Sequence, residues 1–397
     1  MLTRRRVVLG SAVLALVVAL LAVGAYAGGL WGGDDAARAG SRVDVSARTC
    51  ASGWTPGPAG RQRYDVRNTG TSPLRVTVVD AETGGIYGQL YLLAAGTTQR
   101  FEFTLPRGSY RWRCVPIRGV ASVSAVRRVT GTGGEDARPL RPVSSGEITA
   151  AVDVYRAAVS HGLRSLVRDT HALAVAVDRG DLAQARARWL TAHLDYERLG
   201  AAYGTFGDLD GAINGRPDGL PRRQQDPHFT GFLRLEYGLW HGQSAATLRP
   251  VARALDASVR KLAARFPKLP TNPGDLPLRA HEILENTLQF ELTGDTDQGS
   301  HTNLATAAAN VDGTAMVLKA LTPALRVRDA RLLSRLQADV RGLSDLLAAE
   351  HHGSSWTPLD RLGATDRQRL NAAVGSALED LALVPGILQM PPAIVPP

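Results

Sequence analysis

The chain has 397 residues, a formal net charge of +9 at pH 7 and two cysteines. This length accommodates two ordinary domains with substantial hydrophobic cores and a targeting segment. After the N-terminal apolar run the sequence contains no second apolar segment of membrane-spanning length, which excludes the chain from being a transporter itself.

The N-terminal 30 residues have the pattern of an export signal. Three consecutive arginines, Arg4 to Arg6, precede an almost wholly apolar run at residues 7–23, and a small-x-small site follows at residues 25–27. We predict a signal peptide or membrane anchor at residues 1–30, and therefore a periplasmic or otherwise extracytoplasmic protein. The arginines loosely fit a twin-arginine signal, but three arginines alone do not establish that export route. Export makes nucleic acid an implausible partner.

The two cysteines lie within one predicted domain. Cys50 precedes the first cluster of turn residues, and Cys114 ends a run of alternating apolar and polar residues. In an exported protein an even pair of cysteines is interpreted first as a disulfide. A paired thiolate metal site is the alternative.

Residues 41–130 have the pattern of an all-β domain. Short runs that alternate apolar with polar residues are separated by glycine, proline and asparagine at intervals typical of a sandwich. We predict a small Greek-key sandwich. Its predicted strands include residues 61–66, 74–79, 99–105 and 109–114.

The composition of this domain excludes one function and suggests another. A blue-copper centre needs two histidines and a cysteine, and no histidine occurs before His161. Residues 41–130 carry thirteen arginines, no lysine and five acidic residues. The arginines form either a solvated face or a docking surface for anionic headgroups or an acidic membrane partner.

A helical pattern follows a linker at residues 131–146. Ser144 and Glu147 fit a capping box at a helix start. From there apolar residues recur at spacings of three and four, which predicts an antiparallel all-α helical bundle over 147–390, followed by a disordered tail at 391–397. After two long helices that extend to about residue 199, helices are predicted at 228–241, 245–266, 277–292, 302–321, 326–349 and 366–382.

The helix predicted at 228–241 carries a carboxylate on its apolar face. Burial of the apolar stripe draws Glu236 toward the core. An unpaired charge there costs several kcal/mol. Glu236 therefore needs a partner, which is either a bound cation or an arginine such as Arg216 or Arg234.

Further acidic and asparagine-rich segments occur in the same half of the chain. Together with the helix around Glu236 they form an ordered set of motifs. These are L-D-Y-E-R-L-G at 194–200, F-G-D-L-D-G-A-I-N-G-R at 206–216, F-T-G-F-L-R-L-E-Y-G-L-W at 229–240, T-G-D-T-D-Q-G-S-H-T-N at 293–303 and A-N-V-D-G at 309–313.

In this order and spacing, the motifs resemble the imelysin-like family, and most closely its EfeO branch of bacterial iron-uptake proteins. The resemblance covers residues 145–390. It implies an imelysin-like helical domain and, before it, a cupredoxin-like domain with a cysteine near each end.

The resemblance also implies a metal site between helices. Carried over residue by residue, it nominates Glu197, Asp208 and Glu236 as ligands. The second-rank candidates are His193, Asp210 and His301. Taken alone, Glu197 has a plainer interpretation as a surface carboxylate paired with a neighbouring arginine.

One position departs from the family pattern. The family reads G-x-H-x-x-E, and this chain has Leu233 where the histidine is expected. Histidine suits late divalent metals, whereas carboxylates alone favour hard cations such as ferric iron or calcium. The departure implies either a changed ion preference or a weakened site.

The resemblance implies a carrier that binds iron, ferric or ferrous, or another divalent cation, and delivers it to a membrane iron permease. A haem peroxidase of the same system is a further implied partner. We expect no enzymatic activity. The alternatives are a metallopeptidase, which needs an activated water and a general base at an open metal position, and a relative whose metal site has decayed.

Overall fold

The computed structural model describes residues 41–389. The predicted export segment at 1–30 and the predicted tail at 391–397 lie outside the described residues. The boundary between two compact units falls between Pro139 and Leu140, within the segment predicted as a linker.

The first unit is built of β-strands, as the alternating pattern predicts. Four strands coincide with the predicted segments, and the strands at Ser41–Val45, Ile86–Leu93, Ser122–Val123 and Arg127–Val129 lie outside them. In chain order the strands are β1 (Ser41–Val45), β2 (Gly60–Asn68), β3 (Leu74–Asp80), β4 (Ile86–Leu93), β5 (Thr98–Leu105), β6 (Gly108–Pro116), β7 (Ser122–Val123) and β8 (Arg127–Val129).

These strands form two sheets that share one core. In the first sheet β2 lies between β1, to which it is parallel, and β5, to which it is antiparallel. The second sheet has the order β4-β3-β6-β7, and β8 also pairs with β6. In the first sheet β2 and β5 bury alternate apolar residues, because successive side chains point to opposite faces, whereas β3 of the second sheet is buried on both faces from Val76 to Val79. Tyr64 and Phe103 of the first sheet pack against Trp112 of the second.

The predicted disulfide between Cys50 and Cys114 is confirmed. Their Cα atoms are 5.6 Å apart across a sequence separation of 64 residues. Both cysteines are buried in the core of the β unit. The alternative of a paired thiolate metal site is therefore wrong.

The second unit is helical. In its described part the helices are α1 (Ser145–Asp178), α2 (Leu182–Glu197), α3 (Tyr203–Phe206), α4 (Asp208–Asn214), α5 (Gly231–Trp240), α6 (Ala245–Arg265), α7 (Asp275–Asn286), α8 (Asn303–Arg328), α9 (Ala330–Ala348), α10 (Ala364–Leu381) and α11 (Val384–Ile387). A π-helical turn, Thr287–Glu291, extends α7, and a short hairpin of β9 (His351–His352) and β10 (Ser355–Trp356) follows α9. The chain thus has the predicted order, an all-β part followed by an all-α part.

The capping box at the start of α1 is present. The Glu147 amide donates to Ser144 Oγ at 3.2 Å, and the Ser144 amide donates to Glu147 Oε2 at 2.9 Å. Helix α1 then packs against α2, α6 and α8. It forms the centre of the helical core because its apolar stripe is buried along most of its length.

The predicted boundary between the helices at 302–321 and 326–349 is wrong. Helix α8 continues through Pro323 to Arg328, and the break comes at Asp329, whose side chain accepts from the Leu332 amide. Proline removes one backbone donor from a helix but does not have to end it. An aspartate that caps the next helix is the stronger boundary signal.

The prediction that no second apolar segment of membrane-spanning length occurs is wrong by length and composition alone, because one helical stretch in the described chain, Ala364–Ile387, is long and apolar enough to cross a membrane. Core helices of soluble proteins give the same signal. Leu370, Val374, Ala377 and Leu381 of this stretch are buried in the core of the helical unit. One face of the stretch therefore packs on the helical core, although most of the stretch is not buried.

Candidate functional site

The helical unit contains a cavity of about 180 Å³ lined by acidic groups. The cavity lies between α2, α4, α5, α8 and the π-helical turn, each of which contributes side chains to its wall. Its titratable residues include His193, Glu197, Asp210, Glu236 and Glu291. Residues nearly a hundred positions apart in the sequence thus converge on one place.

Glu236 is placed by the apolar stripe of α5. The side chain is 2% exposed, since Phe232, Leu235 and Leu239 of the same helix are fully buried. Oxygen Oε1 accepts from the Ser300 hydroxyl at 2.6 Å and from the Ser300 and Gln298 amides at 3.1 and 3.0 Å. Burial raises the pKa of Glu236 to about 7, although Ser300 and His193 oppose the rise.

The position of α5 depends on a glycine at its first residue. Gly231 has φ +80°, and a Cβ atom added there would lie 2.1 Å from the Ile213 carbonyl oxygen. No other residue allows α5 to approach the end of α4 this closely. The glycine of the F-T-G-F motif therefore holds the two helices that carry Glu236 and Asp210 together.

Glu197 lies on α2, one turn after His193. Its Oε1 accepts from Asn214 Nδ2 at 2.7 Å and lies 3.2 Å from His193 Nε2. With the Asn310 amide oriented so that its nitrogen faces the carboxylate, that nitrogen is 3.1 Å from Oε2. Glu197 is thus buried among amide donors and is not a surface carboxylate paired with an arginine.

His193 is enclosed by aromatic side chains. Its ring stacks on Trp189 with centroids 4.8 Å apart and lies 5.3 Å from the Phe232 ring. Burial lowers the pKa of His193, but attraction by Glu197, Glu236 and Glu291 outweighs burial, so the net change is upward.

The two aspartates of the F-G-D-L-D motif have different positions. Asp210 lines the cavity and accepts a hydrogen bond from the Tyr196 hydroxyl. Burial raises its pKa. Asp208 is the exposed first residue of α4 and does not line the cavity. The structure therefore brings the second-rank Asp210, and not Asp208, together with Glu197 and Glu236.

Sequence reasoning missed Glu291. The π-helical turn that ends α7 buries this residue against the cavity, where Oε1 accepts from Thr296 Oγ1 at 2.8 Å and Oε2 from Asn303 Nδ2 at 3.3 Å. Burial and the neighbouring Glu197 raise its pKa to about 7. A π turn shifts the helical register, so a 3.6-residue period does not predict toward which side Glu291 points. The adjacent T-G-D-T-D motif at residues 293–297 was the sequence signal that could have indicated a functional residue here.

Two further predicted positions differ in accessibility. Leu233, at the position where the family has histidine, is 3% exposed and lines the cavity with an apolar side chain. His301 is on the surface with its side chain 62% exposed, and its Nδ1 lies 2.9 Å from Asp297 Oδ2. His301 does not line the cavity, although Asp297 does.

Arginines do not neutralise the cavity. Arg216 lines it, but its guanidinium pairs with Asp218 and lies 3.9 Å from the centroid of the Phe290 ring. Arg234 lines a different cavity of about 580 Å³. Within residues 41–389 no arginine or lysine forms an ion pair with the cavity carboxylates.

The carboxylates are close but do not form a finished coordination shell. No three His, Cys, Asp or Glu side chains among the described residues are grouped as ligands of one ion. Binding by these groups requires rotations of side chains whose oxygens now accept hydrogen bonds from Ser300, Thr296 and Asn214. Oxygen-rich sites of this kind suit hard cations.

The fold and the cavity define a two-part protein whose helical unit encloses a buried acidic site. A family model described as imelysin matches residues 151–384, more than half of the chain. The chain belongs to the imelysin family.

Curated relatives match almost the whole chain. They include "Iron uptake system component EfeO" from Escherichia coli (strain K12), 26% identical over 347 residues, which cover 87% of this chain and 91% of the relative. The protein of the same name from Yersinia pseudotuberculosis serotype I (strain IP32953) is 28% identical, with 87% and 90% covered. The Yersinia pestis protein is 27% identical over the same shares.

Proposed function

We propose that this protein is an extracytoplasmic component of an iron-uptake system, which holds iron in the acidic cavity and passes it to a membrane permease. Two observations support the proposal. The relatives that cover 87% of the chain are named iron uptake system components. The cavity gathers five carboxylates, Glu197, Asp210, Glu236, Glu291 and Asp297, and no arginine or lysine of the described chain forms an ion pair with them.

The carboxylates themselves carry the physical argument. Glu236 and Glu291 are each 7% exposed or less, and the pKa of each is raised to about 7. Like charges enclosed together repel, and burial removes the water that would screen them. A cation with two or three positive charges removes this penalty, so the folded protein gains stability when it binds the ion.

The β unit supplies a candidate docking surface. Its net charge is strongly positive, and Ile117 and Val120, which flank Arg118, are 50% and 87% exposed. A basic surface with exposed apolar side chains suits an anionic membrane or an acidic permease face. We expect the permease, and a haem peroxidase where the system has one, to be the partners.

We propose a carrier without enzymatic activity. Uptake requires that the ion be bound and released unchanged, whereas peptide hydrolysis requires a fixed metal, an activated water and a general base. A peptidase assay on the iron-loaded and zinc-loaded protein tests this point. Substrate cleavage that a chelator abolishes would favour the metallopeptidase alternative.

A thermal-shift series with ferric, ferrous and zinc ions tests the proposed site. Iron should raise the melting temperature of the wild type, by an amount equivalent to about 2.7 kcal/mol at a free concentration a hundred times the dissociation constant. Glu236→Ala should lose most of the shift. Glu379→Ala, at an exposed position on α10, is the matched control and should retain it. Equal shifts in wild type and Glu236→Ala would place the iron outside the cavity.

A further inference from the structure

A second cavity of the helical unit lies between α5 and α6, and none of its lining residues lines the acidic cavity. It has a volume of about 580 Å³, and we call it the α5–α6 groove. Spacings of three and four place the lining residues of each helix on one side of that helix. These residues are Thr230, Arg234 and Tyr237 from α5 and its N-cap, and Pro250, Val251 and Ala254 from α6.

Arg234 brings an uncompensated positive charge into this groove. Its Nη1 atom is buried and has no hydrogen-bond partner, and no carboxylate within residues 41–389 forms an ion pair with its guanidinium. Asp226, the acidic residue of the groove wall, accepts instead from the Arg222 and His228 amides at 3.3 and 2.9 Å. Buried charges in proteins are almost always paired, so this arginine requires a negative charge from outside the described chain.

A glycine gives the guanidinium its place. The Arg234 side chain reaches Gly238, one turn later on α5, where an added Cβ atom would lie 3.0 Å from Arg234 Nη1. The same Cβ atom would lie 2.8 Å from Gln243 Oε1, which is also buried without a hydrogen-bond partner. An amide carries no net charge, so Gln243 does not neutralise the arginine. It adds a polar contact beside Arg234 for a ligand that enters the groove.

The rest of the groove wall indicates the chemistry of that ligand. Phe229 and Tyr237 on one side and Pro250 and Val251 on the other are apolar or aromatic. An inorganic oxyanion such as phosphate would use the single guanidinium and leave these side chains without a contact. An organic carboxylate uses both, because its two oxygens match the planar fork of an arginine and its body packs on the apolar wall.

We propose that the α5–α6 groove binds a small organic carboxylate with an apolar or aromatic body, and that its carboxylate group pairs with Arg234. The site is separate from the proposed iron site. Helix α5 directs Glu236 to the acidic cavity and Arg234 to the groove. Residues two apart on a helix do not face each other, which explains why these opposite charges do not pair.

The experiment compares benzoate with benzamide, a neutral molecule of nearly the same shape, and with inorganic phosphate. Each is titrated into metal-free protein from which chelator has been removed, and ligand-observed NMR measures the dissociation constant. The wild type should bind benzoate at least about tenfold more tightly than benzamide, and more tightly than phosphate. Arg234→Gln should weaken benzoate binding by about tenfold or more and leave benzamide binding unchanged. Arg341→Gln, at an exposed position on α9, is the matched control and should change neither.

Two further measurements locate the probe. Ala254→Phe, at an exposed position in the groove wall, should weaken both benzoate and benzamide because the ring occupies the groove. In the wild type, benzoate ring protons should show nuclear Overhauser effects to the methyl groups of Val251 and Ala254, a result that does not depend on how a variant folds. Equal affinity of the wild type for benzoate and benzamide, tighter binding of phosphate, or benzoate binding unchanged by Arg234→Gln would overturn the inference. So would the absence of both methyl contacts.

Discussion

Replacement of Glu236 by glutamine should stabilise the metal-free protein. The glutamine side chain has nearly the same shape, and its oxygen can still accept from Ser300 and from the Gln298 amide. Only the buried negative charge is removed. If the cavity exists to hold a cation, the wild type is less stable without the ion than a neutral variant.

The size of the effect follows from the pKa of Glu236. A rise from 4.5 in the unfolded chain to about 7 in the folded protein corresponds to roughly 3 kcal/mol at alkaline pH. The folded state binds the Glu236 proton more tightly than the unfolded chain does. The wild type therefore keeps its full stability below about pH 4.5 and loses this contribution as pH rises through about 7. The advantage of Glu236→Gln should therefore appear over this interval and reach its maximum above it.

Urea unfolding in the presence of a chelator measures the effect at about pH 5 and about pH 8. Glu379→Gln, at an exposed position, is the control and should match the wild type at both values. We expect Glu236→Gln to exceed the wild type at the higher pH and to approach it at the lower. A loss of stability at about pH 8 would refute the reasoning, since it would show that the carboxylate is a structural hydrogen-bond acceptor.

Three further outcomes are expected. Loss of the disulfide in a Cys50→Ser, Cys114→Ser variant should destabilise the β unit by about 4 kcal/mol in the chain-entropy model, and differential scanning calorimetry with and without a reductant measures it. Arg328→Ala should lower the free energy of unfolding of the helical unit by roughly 2–4 kcal/mol, because this 5% exposed side chain donates to both oxygens of Glu147 and to three backbone carbonyls. Urea titration measures the loss. A loss no larger than that caused by replacing an exposed arginine would contradict the prediction. Leu233→His should strengthen binding of zinc by about tenfold or more, since it adds an imidazole one turn before Glu236 in the cavity wall. Isothermal titration measures the affinity, and an unchanged value would show that position 233 does not reach the ion.

Local signals predicted much of the fold. The capping box at Ser144 marks the start of α1 correctly, and alternation in the β unit marks four strands. The disulfide followed from the cysteine count and the export signal. The helix boundary predicted between residues 321 and 326 lies instead at Asp329, where an aspartate cap starts the next helix.

The site was harder to predict than the fold because its geometry depends on helix register. The stripe of α5 correctly predicted that Glu236 is buried. In the F-G-D-L-D motif the two aspartates are two positions apart, so only the actual start of α4 shows that Asp210 and not Asp208 lines the cavity. Glu291 depends on a π turn that no apolar period encodes.

Anomalous diffraction at the iron edge from crystals of the iron-loaded protein tests the central claim most directly. We predict one strong peak inside the acidic cavity, within about 2.0–2.4 Å of carboxylate oxygens from at least two of Glu197, Glu236 and Glu291. Iron bound only at surface groups, such as the exposed pair His351 and His352, with the cavity carboxylates still hydrogen-bonded to Ser300 and Thr296, would contradict it.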